Sequence, residues 1–89
     1  MDELKTLYRN SLRPRIDELI AARAAHTAAD PAAAVKLRRI AHALRGSGGT
    51  YGFPEISAAA ARVEDAHATE LIACVDTLIS LLNDTAADT

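Results

Sequence analysis

Alanine sets the terms for this chain. It supplies 20 of the 89 residues, while aromatic residues make up only 3%. Alanine is the strongest helix former and lets neighbouring helices approach closely. A β-sandwich would need many Val, Ile, Thr and Tyr strands instead. The expectation is therefore an all-α fold. At this length it is a single domain, residues 1–89, with a thin core that buries about 60–65% of the unfolded surface.

Apolar periodicity and breaker residues divide the chain into helices. Asp2 to about Ser11 reads as a short helix, with Leu4, Leu7, Tyr8 and Leu12 at helical spacing. Pro14 fits the first turn of a new helix. That second helix is predicted from Pro14 to Ala25, with Ile16, Leu19, Ile20 and Arg23 at i, i+3, i+4 and i+7; a kinked continuous helix is the alternative. His26-Thr27-Ala28-Ala29 is a connection. Asp30 then reads as an N-cap and Pro31 as the first residue of a third helix, which carries Ala34, Leu37, Ile40, Ala41 and Leu44. Pro54 opens a fourth, with Ile56, Ala59, Ala60 and Val63 on one face. Thr69 is the candidate cap of the last helix, which carries Leu71, Ile72, Val75, Leu78, Ile79 and Leu82. Residues 83–89 are polar and read as a frayed tail. Short connections favour antiparallel neighbours, so the expected assembly is an antiparallel four-helix bundle with a short additional N-terminal helix.

Charge narrows the function classes. Charged residues are 25% of the chain and the net charge is −2, which excludes a disordered acidic tail and a bulk nucleic-acid binder. No apolar run approaches the ~18 residues that cross a membrane, and no basic segment leads into an apolar one as in a secretory signal. A single Cys permits no internal disulfide, and a reducing cytoplasm is the expected compartment. The charges are also unevenly placed. Residues 31–54 carry Lys36, Arg38, Arg39 and Arg45 and no acid, whereas residues 55–89 carry seven acids and one Arg. A basic stretch of this kind is either a solvated helix face or a surface that steers an acidic partner or holds an anion. All four glycines, Gly46, Gly48, Gly49 and Gly52, fall inside the same neighbourhood.

The third helix joins these features. At about 100° per residue, Leu37, Ile40, Ala41 and Leu44 cluster within roughly 100° of arc. His42 lies roughly 150° from the centre of that stripe, so it points to solvent. Arg38 precedes it by four and Arg45 follows by three, which makes both surface neighbours; Arg39 flanks the other side and reads as solvated. Gly46 and Gly49 follow by four and seven on the same face. A glycine inside a helix costs about 1 kcal/mol relative to alanine. The use of that sacrifice is a flat strip of backbone beside an exposed imidazole, where another protein can approach. A neutral imidazole nitrogen is a good nucleophile, and cationic neighbours stabilise an added phosphoryl group. The combination suits in-line phosphoryl transfer.

The string Ala41-His42-Ala43-Leu44-Arg45-Gly46-Ser47-Gly48-Gly49-Thr50-Tyr51-Gly52 resembles the histidine-containing phosphotransfer (HPt) family of two-component phosphorelays. That family's pattern is His-x-Leu/Ile-Lys-Gly-Ser/Ala-x-Gly, with another Gly three residues on. His42, Leu44, Gly46, Ser47, Gly49 and Gly52 match in place, and Arg45 stands where Lys is usual. The resemblance implies that His42 accepts a phosphoryl group on Nε2 from an aspartyl-phosphate receiver domain and passes it to another receiver aspartate. It implies phosphoryl electrostatics for Arg45 and steric access for Gly46. Arg38, Ser47 and Gly49, with Leu7, Tyr8 and Ser11 of the leading helix, are expected on the partner-binding surface. Gly52 is assigned to the turn before Pro54, Tyr51 and Phe53 to packing, and Cys74 to packing beside the last helix's stripe.

Implied partners are response-regulator receiver domains and a hybrid histidine kinase, with no nucleic acid and no membrane. The chain is expected to be a monomeric, stand-alone phosphocarrier rather than an enzyme. It would have no cofactor of its own, Mg²⁺ being supplied by the receiver. Two other classes compete. One is a non-phosphorylated helical adaptor or self-associating interaction bundle. The other is a metal site built from His26, His42 and His67, which is poor because their spacings give no His-x₃-His motif.

Overall fold

The structure, a computed structural model, describes residues 2–87. Their regular secondary structure is all helical, with α1 at Asp2–Asn10, α2 at Leu12–Thr27, α3 at Ala33–Thr50, α4 at Pro54–Asp65 and α5 at Leu71–Ala87. Helices α2 to α5 close a ring of contacts: α2 on α3, α3 on α4, α4 on α5, and α5 back on α2. The short α1 lies across α2 and α5 at one end. The body measures 41 × 20 × 16 Å.

The apolar stripes read from spacing meet inside that ring. Ile16 and Leu19 of α2, Leu37 and Leu44 of α3, Ile56 and Val63 of α4, and Val75, Leu78 and Leu82 of α5 are all buried. Among the described residues, no polar or charged side chain is buried. Ile20, expected on the inner face of α2, is exposed; Ala22 takes that place. Arg23 reaches across from α2 to α5 and grips Asp76 with two nitrogens, the Nη2–Oδ2 contact being 3.0 Å. The hydrogen bond from Arg23 holds the Asp76 carboxyl below the usual carboxylate range.

Helix boundaries depart from expectation where local hydrogen bonds override residue type. A break between α1 and α2 falls at Ser11, whose hydroxyl donates to the Tyr8 carbonyl at 2.6 Å. Helix α2 begins at Leu12, two residues before Pro14, and runs on to Thr27 rather than Ala25. Pro14 is thus in the first turn, where its missing N–H has no partner to lose. Asp30 does accept the N–H of Ala32 at 3.0 Å, but Pro31 and Ala32 form a turn and α3 starts only at Ala33. Thr69 is not the cap of α5: it lies in a turn closed by the Glu70 N–H on the His67 carbonyl, and the Glu70 carbonyl receives the N–H of Cys74. Residues 83–87, expected in a frayed tail, continue α5, with Ala86 packed on the core and the Thr85 hydroxyl bonded to the Leu81 carbonyl. Residues 88 and 89 of that expected tail lie outside the described residues.

Helix α2 ends in a Schellman arrangement. Asp30 donates to the Ala25 carbonyl and Ala29 to the His26 carbonyl, both at 3.0 Å, with Ala29 at φ 66°. Glycine usually fills such a position because it has no Cβ to clash. At the end of α3 the chain follows that preference, with Gly52 at φ 85° making the turn into Pro54.

Among the helical glycines, the tightly packed one is Gly48, which the spacing argument did not select. A Cβ on Gly48 would meet the Ser57 nitrogen at 3.0 Å and the Phe53 carbonyl oxygen at 3.2 Å. Gly49, expected on the partner-binding surface, is exposed, and its Cβ would find only Ser57 Oγ at 3.8 Å. A Cβ on Gly46 would meet nothing within 4 Å.

These differences predict opposite signs for chemically identical changes, read from urea unfolding midpoints. Gly46→Ala is expected to stabilise by about 0.5–1 kcal/mol through helix propensity alone. Gly48→Ala is expected to destabilise by about 1 kcal/mol or more, because overpacking against backbone atoms outweighs that gain. Ala29→Gly is expected to stabilise by about 0.5–1 kcal/mol by relieving the left-handed residue.

Candidate functional site

The outer face of α3 carries His42 opposite the buried Ala41 and Leu44. Its side chain is 76% exposed, so the ring stands on open surface. Across the α3–α4 groove, Glu64 presents both carboxylate oxygens to α3. Its Oε2 lies 2.8 Å from His42 Nδ1, and its Oε1 lies 3.4 Å from Arg45 Nη1. The bond to His42, joined by that to Arg45, lowers the Glu64 pKa against the opposing effect of desolvation, so the group is a carboxylate at neutral pH. A carboxylate only accepts, so Nδ1 is the donor. In the neutral ring the lone pair then belongs to Nε2, the nitrogen turned away from Glu64.

Arg38 fixes the helix that carries Glu64. Its guanidinium donates to the carbonyls of Val63 at 3.0 Å, Glu64 at 2.7 Å and Ala66 at 2.9 Å. These belong to the last turn of α4 and its exit, where carbonyls lack helical partners. Arg38, expected on the partner-binding surface, is thus engaged with α4 through its guanidinium. Ser57 adds a second tie, its hydroxyl donating to the Arg45 carbonyl at 2.8 Å.

Two and a half turns beyond His42, at Tyr51, the surface becomes apolar. Leu4, Leu7 and Tyr51 are large exposed hydrophobic residues, and they line a shallow groove with Tyr8, Ser11 and Ser47. Leu7 and Ser11 lie at the surface as expected. Tyr8 does not: it is buried, stacked between Tyr51 and Phe53 at centroid distances of 5.1 and 5.2 Å. Burial raises the pKa of its phenol, partly offset by a hydrogen bond with Ser47. That bond, Tyr8 hydroxyl to Ser47 Oγ at 2.8 Å, commits both residues to holding α1 against α3. Phe53 is buried, and Lys5 and Arg9 lie over its ring. Tyr51 is half exposed and belongs as much to the surface as to the packing.

The structure therefore brings His42, Arg45 and Gly46 together as one exposed group and adds Glu64, which spacing around His42 alone did not reveal. The available signal was Glu64's position one turn after the buried Ala60 on the α4 face that meets α3. His26, half-buried in the last turn of α2, and His67, in the α4–α5 connection, make no bond to this group. Among the described residues, no three His, Cys, Asp or Glu side chains are grouped to hold a metal ion. No helix among them is long and apolar enough to cross a membrane.

The Arg38 clamp carries a prediction for stability. Arg38→Met keeps the aliphatic stem but strips three charge-assisted bonds, and is expected to cost about 1.5–3 kcal/mol in chemical denaturation. Arg38→Lys should recover only part of that loss, since an ammonium lacks the planar fork that spans adjacent carbonyls.

Comparison with curated proteins and with solved structures returned no match. The family profile described as Hpt domain matches residues 3–88, nearly the whole chain, and includes α3 with His42 and α4 with Glu64. With an exposed histidine and an open glycine on one helix of an all-helical domain, the chain belongs to the Hpt domain family, whose members serve histidine phosphotransfer in two-component signalling.

Proposed function

We propose that this protein is a phosphorelay intermediate. Nε2 of His42 accepts a phosphoryl group from the aspartyl-phosphate of one receiver domain and later yields it to the aspartate of another. The observation that carries this reading is the bond from His42 Nδ1 to Glu64, which leaves Nε2 as the unengaged, solvent-facing nitrogen. Gly46, one turn on, offers no side chain in the approach path. Arg45, half exposed and only loosely held by Glu64 at 3.4 Å, is placed to turn toward the added phosphate. In this reading α2 to α5 run antiparallel, as short connections favour.

The protein acts as a carrier. The acidic pocket and its Mg²⁺ belong to the receiver, and transfer is completed by the partner's groups. The apolar strip of Leu4, Leu7 and Tyr51 is the docking surface, with Ser11 and Gly49 at its margin; exposed apolar patches rimmed by polar groups are typical of transient interfaces. The protein works as a cytoplasmic monomer in this scheme, serving a histidine kinase and its receivers.

The test is transfer from a hybrid kinase charged with radiolabelled ATP. Wild type should acquire acid-labile label and His42→Gln none, with unchanged circular dichroism because the side chain is exposed. Gly46→Gln should stay folded and lose transfer rate by about 100-fold, since small displacements of the reacting atoms are costly. Label on His42→Gln would refute the acceptor, and normal transfer by Gly46→Gln would refute the steric account. A folded wild type that takes no label from several receivers would favour a non-phosphorylated adaptor.

Docking has its own readout. Leu7→Asp should weaken receiver binding about tenfold in a titration, without loss of helicity. Unchanged affinity would move the docking surface elsewhere.

A further inference from the structure

We infer that Glu64 is a positioning residue that keeps the proton on His42 Nδ1 throughout the transfer cycle, including the phosphorylated state, and so keeps the phosphoramidate ready to leave. The inference rests on the reading of His42 as the phosphoacceptor.

The bond count explains why this proton matters. In acceptance, the Nε2 lone pair forms the N–P bond. The P–O bond of the aspartyl-phosphate breaks, and its electron pair returns to the aspartate oxygen. The ring now carries phosphate on Nε2 and hydrogen on Nδ1, and is formally an imidazolium. In onward transfer, the second aspartate's oxygen forms the new P–O bond. The N–P bond breaks and its pair returns to Nε2, giving back the neutral ring with hydrogen still on Nδ1. No proton enters or leaves in either direction. If Nδ1 instead lost its proton to solvent after acceptance, the departing group would be an imidazolate anion, a far poorer leaving group.

The structure supplies what retention of that proton requires. Glu64 Oε2 is 2.8 Å from Nδ1, a distance suited to a charge-assisted bond, and the carboxylate offsets the positive ring. A carboxylate on the far nitrogen of a working imidazole fixes its tautomer and stabilises its cation. Glu64 is 20% exposed, and Arg38 holds the backbone around it through three carbonyls, so the carboxylate is not a freely rotating surface group. The cation that shares this contact comes from α3: Arg45 holds the second oxygen of Glu64. Glu64 is the anionic contact to the ring, placed on the nitrogen that carries the proton. When Arg45 turns to the phosphate, Glu64 is left to the ring alone.

The test needs no partner protein. His26→Gln/His67→Gln protein, with His42 as its single histidine, is phosphorylated with phosphoramidate, which gives up its phosphoryl group and leaves as ammonia. Loss of phosphohistidine is followed by ³¹P NMR between about pH 5 and pH 9, spanning the range in which imidazoles titrate. The same is done with Glu64→Gln and Glu64→Ala added. With Glu64 present, hydrolysis should stay fast to higher pH. In both Glu64 variants it should slow from near neutrality, leaving phospho-His42 about tenfold longer-lived at about pH 8, while the curves merge at the acid end. A packing role for Glu64 would not move this profile. Coincident profiles across the range would overturn the inference and leave the carrier role intact. A folded protein whose His42 takes no phosphate from phosphoramidate would overturn both.

Discussion

The contact between α3 and α4 is the constraint on which everything else rests. Gly48 lets the start of α4 approach to where a single methyl group would collide with backbone. At the far end of α4, Arg38 donates to three carbonyls of the last turn and its exit. With close contacts at both ends, α4 is seated on α3 so that Glu64 lies within hydrogen-bond distance of His42. The site is therefore a product of helix packing rather than of a loop or a buried pocket. That suits a group that must stay exposed and yet hold one ring orientation.

Burial and reactivity are kept on opposite sides of α3. Its inner face gives Leu37, Ala41 and Leu44 to the core, and its outer face gives His42, Arg45 and Gly46 to solvent. This division explains why alanine is so frequent. Small residues such as Ala41, Ala59 and Ala60 at the helix contacts let a core with few aromatic residues pack closely. The one aromatic cluster, Tyr8 with Tyr51 and Phe53, sits at the periphery and fastens α1.

Much of this was legible in the sequence, for identifiable reasons. Helix identity followed from 3.6-residue periodicity, so Leu37, Ile40, Ile56, Val63, Val75 and Leu78 were all placed inward correctly. The exposure of His42 followed from the same geometry. What was not legible depended on partners distant in sequence. Arg38 and Arg45 look alike from spacing around His42, yet one is drawn to the carbonyls of α4 and the other bonds the Glu64 carboxylate beside His42. Gly48 and Gly49 are adjacent, and only the rotation of α3 against α4 decides which is packed. Tyr8 reads as a surface residue of an amphipathic helix until Tyr51, Phe53 and Ser47 close around it. Glu64 was hidden because no local window contains both it and His42. The helix ends at Leu12, Ala33 and Ala87 moved by a few residues, as ends do when turn hydrogen bonds compete with cap preference.

The attachment of α1 has a consequence for how such a protein diversifies. Tyr8 is the buried anchor of that helix, while Leu4 and Leu7 face outward and carry no part of the core. His42 and Glu64 sit on α3 and α4, which meet closely at Gly48 and Arg38. Under the proposed docking role of α1, recognition and transfer would be written on different helices with separate fastenings. Substitutions at the exposed Leu4 and Leu7 would then alter the choice of partner without touching the core, the imidazole or its carboxylate. On that reading, a few surface changes would suffice to re-address the carrier without rebuilding its chemistry.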